Sequence, residues 1–242
     1  MAQGSPGART SVPRRTEERS RVVRQHDRAR YDRAEIDGIL DEAMVAHLGF
    51  SHEGQPFVIP TLHARVGDLV YVHGSSASRT LRALGRGVAA CLTVTLFDGI
   101  VLSRSAFEHD VNYRSVVLLG EMHEVTEAGR KREALRAFMD RLVPGRWAEV
   151  REPSDQELKA TSILALTVEV ASAKVRYGGP EDGDSEDGAL DVWAGHIPIS
   201  LQFGAPEADP ALRPGIAPSQ AALALVQARQ RPASAEAERE PR

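Results

Sequence analysis

The residues of this chain best suited to chemistry lie between Val70 and Leu84, in the run VYVHGSSASRTLRAL. A β-branched and aromatic stretch ends at His73. Gly74, Ser75, Ser76, Ala77, Ser78, Arg79 and Thr80 follow, and then an apolar pattern of helical spacing begins. That order predicts a strand, a polar loop and a helix start. Small residues let the backbone approach a ligand closely. Hydroxyls, N–H groups and the fork of Arg79 are donors matched to an anion. The positive end of the following helix points at the same place. The chemistry this suits is the holding of a phosphate. The same residues also suit an ordinary helix start, with Ser78 as the cap and Arg79 in solvent. No G-x-x-x-x-G-K-[ST] or G-x-G-x-x-G signature occurs in the chain.

The elements that must position this loop are legible as patterns. A helix is predicted from Asp32, its cap, with Glu35 three residues on and Ile36, Ile39, Leu40 and Met44 at helical spacing. Ala46 to Phe50 reads as a strand, Ser51 to Gly54 as a hairpin turn, and Gln55 to Ala64 as the returning strand. Val66-Gly67-Asp68 is a turn into the strand Leu69 to His73. A short helix runs from about Ser78 to Leu84, closed by Gly85 or Gly87. Strands at Val88 to Leu96 and Ile100 to Ser105 are joined by Phe97-Asp98-Gly99, a strong hairpin signal. Another strand spans Arg114 to Val125, with Gly120 as a bulge or bend. Glu127 to Val143 is an amphipathic helix and Ser154 to Lys159 a short helix. Ile163 to Tyr177 reads as one long strand, Gly178 to Asp191 as a flexible acidic surface loop, Trp193 to Phe203 as a further apolar stretch, and Ser219 to Gln227 as a last helix. Six or seven strands in hairpin order predict an α+β, mainly β domain on an antiparallel barrel with a few peripheral helices. No βαβ alternation is present.

Composition narrows the function. The chain has 242 residues, 42% of them hydrophobic and 26% charged, which permits a sizeable core. A net charge of −4 argues against a nucleic-acid binder. The single cysteine, Cys91, excludes an internal disulfide and a thiolate cluster, and its apolar surroundings suit a core residue. No metal site is expected. No apolar run is long enough to span a membrane and no signal-peptide core is present, so a cytoplasmic protein is expected. Arginine far outnumbers lysine, as in proteins of GC-rich bacterial genomes. The polar residues 1–20 read as a disordered arm, 21–204 as the folded domain and 205–242 as a Pro- and Ala-rich, partly disordered extension.

The order of motifs resembles that of the pyridoxamine 5′-phosphate oxidase-related proteins, which share the FMN-binding split barrel, and within them the branch that includes the nitroimidazole-resistance (Nim) proteins. The residues that carry the resemblance are HLGF (His47 to Phe50), GQPFVIPTLHA (Gly54 to Ala64), LVYVHGSSASRTLRAL (Leu69 to Leu84), CLTVTLFDGIVLSRSAF (Cys91 to Phe107), NYRSVVLLGEMHEV (Asn112 to Val125) and VWAGHIPI (Val192 to Ile199). The resemblance implies that Val58, Ile59, Pro60 and Thr61 lie along the ring of a bound FMN. It sets His73, Ser75, Ser78, Arg79 and Thr80 near the ring or the ribityl phosphate. Pro60 agrees physically, since a proline inside a strand belongs at an edge or opened site. His73 is the candidate catalytic residue, as a proton donor or acceptor. Tyr113 and Arg114 are implied near the flavin and a subunit interface, and Trp193 as a cap on the flavin or an interface anchor. The oxidases carry Ser-Arg-Lys in the loop where Thr80 stands here, and their pyridoxal phosphate-binding C-terminal residues are not found. The resemblance implies a homodimeric FMN-dependent oxidoreductase acting on a small molecule. The alternative is a flavin- or haem-binding carrier, sensor or regulator on the same barrel, with His73, His109, His123 and His196 as candidate iron ligands. A deazaflavin in place of FMN also suits the barrel.

Overall fold

A computed structural model describes residues 18–229. Most of the arm expected at 1–20 and the end of the tail lie outside these residues. The first helix, α1 (Arg33–Glu42), starts where expected, with the Asp32 carboxylate accepting a hydrogen bond from the Glu35 N–H at 3.0 Å. Strands β2 (Val45–His52) and β3 (Gln55–Val66) form a hairpin, and β4 (Leu69–Ser75) pairs back on the end of β3. The loop after β4 leads into α2 (Arg79–Leu84). Two long strands follow, β5 (Arg86–Leu102) and β6 (Asp110–Glu124), then α3 (Ala128–Leu142) and α4 (Asp155–Ala160). Strands β7 (Thr161–Thr167) and β8 (Val170–Arg176), the short β9 (Gly195–Pro198) and α5 (Gln220–Arg229) complete the order. A two-residue strand β1 (Ala29–Arg30) adds to the edge of β8.

The sheet is antiparallel throughout and closes into a split barrel. The sequence of neighbours is β6-β7-β4-β3-β2-β5, and β5 returns to pair with β6. The split lies on β6. One edge pairs with β5 along nearly its whole length. The other serves β8 from Tyr113 to Leu119 and then β7 at His123 and Glu124. The ring interior is filled by Leu48, Val70, Val72, Leu92, Leu118, Leu164 and Leu166, alternate residues of strands that face the same way. A second core lies outside, where Ala134 and Phe138 of α3 cover Ala64, Tyr71 and Ile163.

Four sequence expectations are corrected. Phe97-Asp98-Gly99 is not a hairpin, because β5 runs straight through it with a bulge. Gly99 has no left-handed backbone; it is required because a Cβ there would lie 2.9 Å from the Ile197 carbonyl oxygen of β9. Gly120 is not a bulge either. It sits just before β6 changes partner, and a Cβ would meet Leu166 Cδ1 at 2.8 Å. The run from Ile163 to Tyr177 is two strands, turned at Val168-Glu169 without a Gly, Pro, Asn or Asp to mark it. The turn is held by the buried Val168, whose N–H donates to the Asp68 carbonyl at 2.8 Å. Finally, the acidic loop is pinned. Asp182 is buried and accepts from the Arg104 backbone N–H at 2.5 Å and its guanidinium at 2.8 Å.

Leu92→Ala, which empties a fully buried site in the ring, is expected to cost about 2–5 kcal/mol in urea unfolding. Gly99→Val is expected to destabilise by about 1–3 kcal/mol, because the facing atom is backbone and cannot swing aside.

Candidate functional site

The site begins with a parity argument on β3. Its hairpin with β2 turns on two residues, Glu53 (φ 50°) and Gly54 (φ 80°), so the flanking pair His52–Gln55 is the hydrogen-bonded one. Bonded and non-bonded pairs then alternate along the ladder. Phe57, Ile59 and Thr61 bond β2. Pro56, Val58 and Pro60, opposite Ser51, Gly49 and His47, do not. Both prolines therefore fall where no N–H is needed. The N–H of Val58 and the carbonyls of Pro56, Val58 and Pro60 point to the other edge of the strand.

That other edge is open. Pairing of β3 with β4 runs only from Val66–Leu69 to His63–Val72. Beyond Val72, β4 continues on its far side with β7, through His73–Ile163, Gly74–Ser162 and Ser75–Thr161. The two strands thus part, leaving a cleft between residues 58–61 of β3 and 73–75 of β4. Val58 is 69% exposed and Ile59 37%. Pro60 is exposed, and Thr61 is half-buried with its hydroxyl donating to the Leu62 carbonyl at 3.1 Å.

On the β4 side, His73 is half-buried. Its ring stands edge-on to Phe138 of α3, with centroids 4.5 Å apart, and its buried Nδ1 has no hydrogen-bond partner among the described residues. Burial holds this imidazole below its ordinary pKa, so it is neutral at pH 7. The loop that follows is shaped from within. Ser75 Oγ accepts from the Ala77 N–H at 3.2 Å, and Ser78 Oγ caps α2 by accepting from the Leu81 N–H at 3.3 Å. Each hydroxyl uses its oxygen internally and keeps its O–H as a donor for a ligand. A Cβ at Gly74 would lie 2.5 Å from Leu81 Cδ1, so a larger residue there would require that side chain to move. Arg79 is exposed. The side chain of Thr80 lies outside the described residues.

One copy of the chain does not bring the remaining candidates to this cleft. Val58, Gly49, Cys91 and Leu119 form one row across the sheet, and Tyr113 lies six residues further along β6, about 20 Å away. Tyr113 stands beside the Arg28 guanidinium, which also pairs with Asp110 at 3.0 Å. Arg114 is committed to its own chain. Its fork meets Asp98 at 2.8 and 2.9 Å and also pairs with Glu42, and these carboxylates raise its pKa above the ordinary value. Trp193 is 67% exposed, beside Gly195 at the start of β9. Among the other histidines, His109 has Nδ1 at 2.9 Å from the Ser105 carbonyl. His123 lies 3.8 Å from Glu121, and His196 is exposed on β9. His63 is buried in the core with Nε2 donating to the Leu40 carbonyl at 2.8 Å; burial, then Arg141, lower its pKa to about 4. Burial raises the Cys91 thiol, as suits a packing residue. Among the described residues no group of His, Cys, Asp and Glu is arranged to hold a metal ion, and no helix is long and apolar enough to cross a membrane.

Sequence reasoning passed over Pro56, although its even spacing from Pro60 already marks which edge of β3 is free. Phe138 was legible as part of the apolar face of α3, but no local signal ties it to His73.

The pyridoxamine 5′-phosphate oxidase family matches residues 32–175. The flavocytochrome Anf3 of Azotobacter vinelandii is 44% identical over 86% of this chain and 96% of its own, with a TM-score of 0.81. An FAD- and haem-binding protein of Mycobacterium smegmatis is 37% identical over 82% of this chain and 97% of its own, with a TM-score of 0.77. A Bacteroides thetaiotaomicron protein named for 5-nitroimidazole antibiotic resistance shares the fold at 20% identity, over 61% of this chain and 86% of its own, with a TM-score of 0.50. No curated protein matches the chain.

The folded-state pKa of His63 lies below its unfolded value of about 6.5. The unfolded chain therefore binds the extra proton first, and stability is full above pH 6.5 and falls as pH drops toward about 4. The loss is expected to reach about 3 kcal/mol by pH 4, and His63→Gln is expected to flatten that part of a urea-midpoint profile. Arg114→Met removes the cation that Asp98 and Glu42 share, and is expected to lower the unfolding midpoint while leaving ligand affinity at the β3–β4 cleft unchanged.

Proposed function

The chain belongs to the pyridoxamine 5′-phosphate oxidase family, and on that premise we propose that it is a flavin- and haem-binding oxidoreductase. The observation that carries the flavin reading is the free edge of β3 beside His73 and the Ser75–Arg79 loop. A backbone N–H at Val58 and carbonyls at Val58 and Pro60 suit the alternating acceptors and donors of an isoalloxazine edge. Ser75, Ser78 and Arg79 suit the 5′-phosphate, so the FMN portion of the cofactor fits residues of this chain. The groups supply the redox chemistry when bound, two-electron exchange at the flavin and one-electron exchange at haem iron. His73, neutral and pressed against Phe138, is suited to hold or pass a proton at the cleft. The substrate is a small molecule that reaches this cleft.

The haem reading is favoured by the two relatives and by His109. A ligating imidazole commonly has its second nitrogen tied to a carbonyl, and Nδ1 of His109 is so tied to Ser105. A homodimer follows from the same reading. Phe57, Val58, Phe97, Ile100 and Ile197 of β3, β5 and β9, with Trp193 just before β9, are exposed apolar side chains of the kind an interface buries. A two-fold pairing would bring the far end of β5 and β6 of one copy toward the cleft of the other, where Tyr113 and Trp193 could act.

The test is the visible spectrum of the purified full-length protein, with the released groups identified by chromatography. Flavin and haem bands together are expected. Flavin alone removes the haem, and a colourless protein that takes up neither overturns the reading. Arg79→Ala is expected to weaken flavin binding about tenfold; unchanged affinity removes Arg79 from the phosphate site.

A further inference from the structure

We propose that a cavity beside the cleft, walled by α3, α4 and the segment between them, binds the substrate through a carboxylate, with Arg151 as its partner. The substrate role rests on the flavin reading above. The cavity holds about 460 Å³ and is lined by Leu135 of α3, Arg151 and Pro153 of the connecting segment, Glu157 of α4 and Thr161 of β7. Its place follows from the register. Thr161 pairs with Ser75, as Ile163 does with His73. Side chains two residues apart share a face, so Thr161 and Ser75 lie on the face where α3 covers Ile163. Ser76 donates its N–H to the Ala160 carbonyl at 2.9 Å, which ties the end of α4 to the loop after β4. Lys131 of α3 donates to the Thr161 carbonyl at 2.8 Å, and Phe138, one turn from Leu135, meets the His73 ring. The cavity therefore lies one strand spacing, about 5 Å, from Ser75.

The lining sets the chemistry of the ligand. Leu135 and Pro153 offer apolar walls to a small body. Arg151 is held in place at the cavity. Its Nη1 and Nη2 donate to the two Glu157 carboxylate oxygens at 2.8 and 2.6 Å, and Nη1 also donates to the Glu152 carbonyl at 3.1 Å. Glu157 is fixed in turn, accepting from the N–H and the hydroxyl of Ser154 at 2.8 and 3.1 Å. A guanidinium has a second edge of two parallel donors, Nε and Nη2. Arg114 uses both edges, with Glu42 on Nη1 and Nη2 and Asp98 on Nε and Nη2. At Arg151 the first edge is filled by Glu157, and the second has no partner among the described residues. A ligand carboxylate fits that edge as Asp98 fits Arg114, and shares the cation with Glu157 as Asp98 shares its own with Glu42. The ligand is thus the anion of a small carboxylic acid with an apolar body.

The full-length protein with its bound flavin is titrated with benzoate, benzamide and benzylamine, followed by ligand NMR and by the flavin absorbance. Benzoate is expected to bind with a Kd of about 1 mM and to shift the flavin band. Benzamide is expected to bind about tenfold or more weakly, and benzylamine not at all. Arg151→Lys keeps the charge at an exposed position but removes the fork, and Leu135→Trp fills the cavity. Each is expected to weaken benzoate about tenfold or more, with flavin content unchanged. Equal affinity for benzoate and benzamide, or benzoate binding unchanged in both variants, overturns the proposal. Benzoate that depends on Arg151 but leaves the flavin band unmoved overturns the substrate role. Failure of the wild type to bind any flavin instead overturns the reading of the cleft, while the benzoate titration still decides the cavity.

Discussion

Strand β4 cannot pair fully on both of its edges, and the candidate site depends on which edge it gives up. It runs with β7 from Leu69 to Ser75 but with β3 only from Leu69 to Val72. The pairing with β7 is fixed by the core, since Val70, Val72, Leu164 and Leu166 must all face inward to fill the ring. The hairpin of β2 and β3 then departs on its own course. Its free edge would ordinarily be a hazard, open to pairing with any other strand. Two prolines and a course past His73 make it instead a short, guarded edge with one N–H and three carbonyls on offer.

Charge is distributed to the same end. The chain neutralises its partly buried arginines within itself, as at Arg114 between Asp98 and Glu42 and at Arg176 beside Asp110. These ion pairs lock β6 to its neighbours and to the N-terminal segment. Among the described residues, the exposed arginines of α2, Arg79 and Arg82, have no such partner. Placing cations where nothing inside the protein satisfies them is physically sensible only on the surface, where water can hold them until an anion arrives. Paired arginines thus build the scaffold, while Arg79 stands exposed at the loop beside the open edge of β3.

His73 joins these two themes. It is the last residue of the β-branched run in β4, facing out of the ring, and α3 half-covers it through Phe138. A histidine in that setting is neutral, oriented and near the cleft, which is the state required for a proton relay. The far end of β5 and β6, with Tyr113, Trp193 and His109, is separated from it by the length of the strands.

The alternation of apolar residues, the Asp32 and Ser78 caps and the turn at Ser51 to Gly54 were enough to read the β2–β3 hairpin, the antiparallel barrel and the loop after His73. These are local signals, each complete within a few residues. The sequence alone also resembled the family to which the chain belongs. What needed the tertiary structure is everything set by a distant partner. Gly99 looked like a turn because its real reason, the Ile197 carbonyl of β9, is almost a hundred residues away. The turn at Val168 is held by the carbonyl of Asp68, and Gly120 is small for Leu166. Arg114 carried no mark that Asp98 and Glu42 would take its fork. The opening between β3 and β4 was invisible for the same reason: a strand's residues state which face is apolar, but which edge stays unpaired is decided only when all the other strands have found their places.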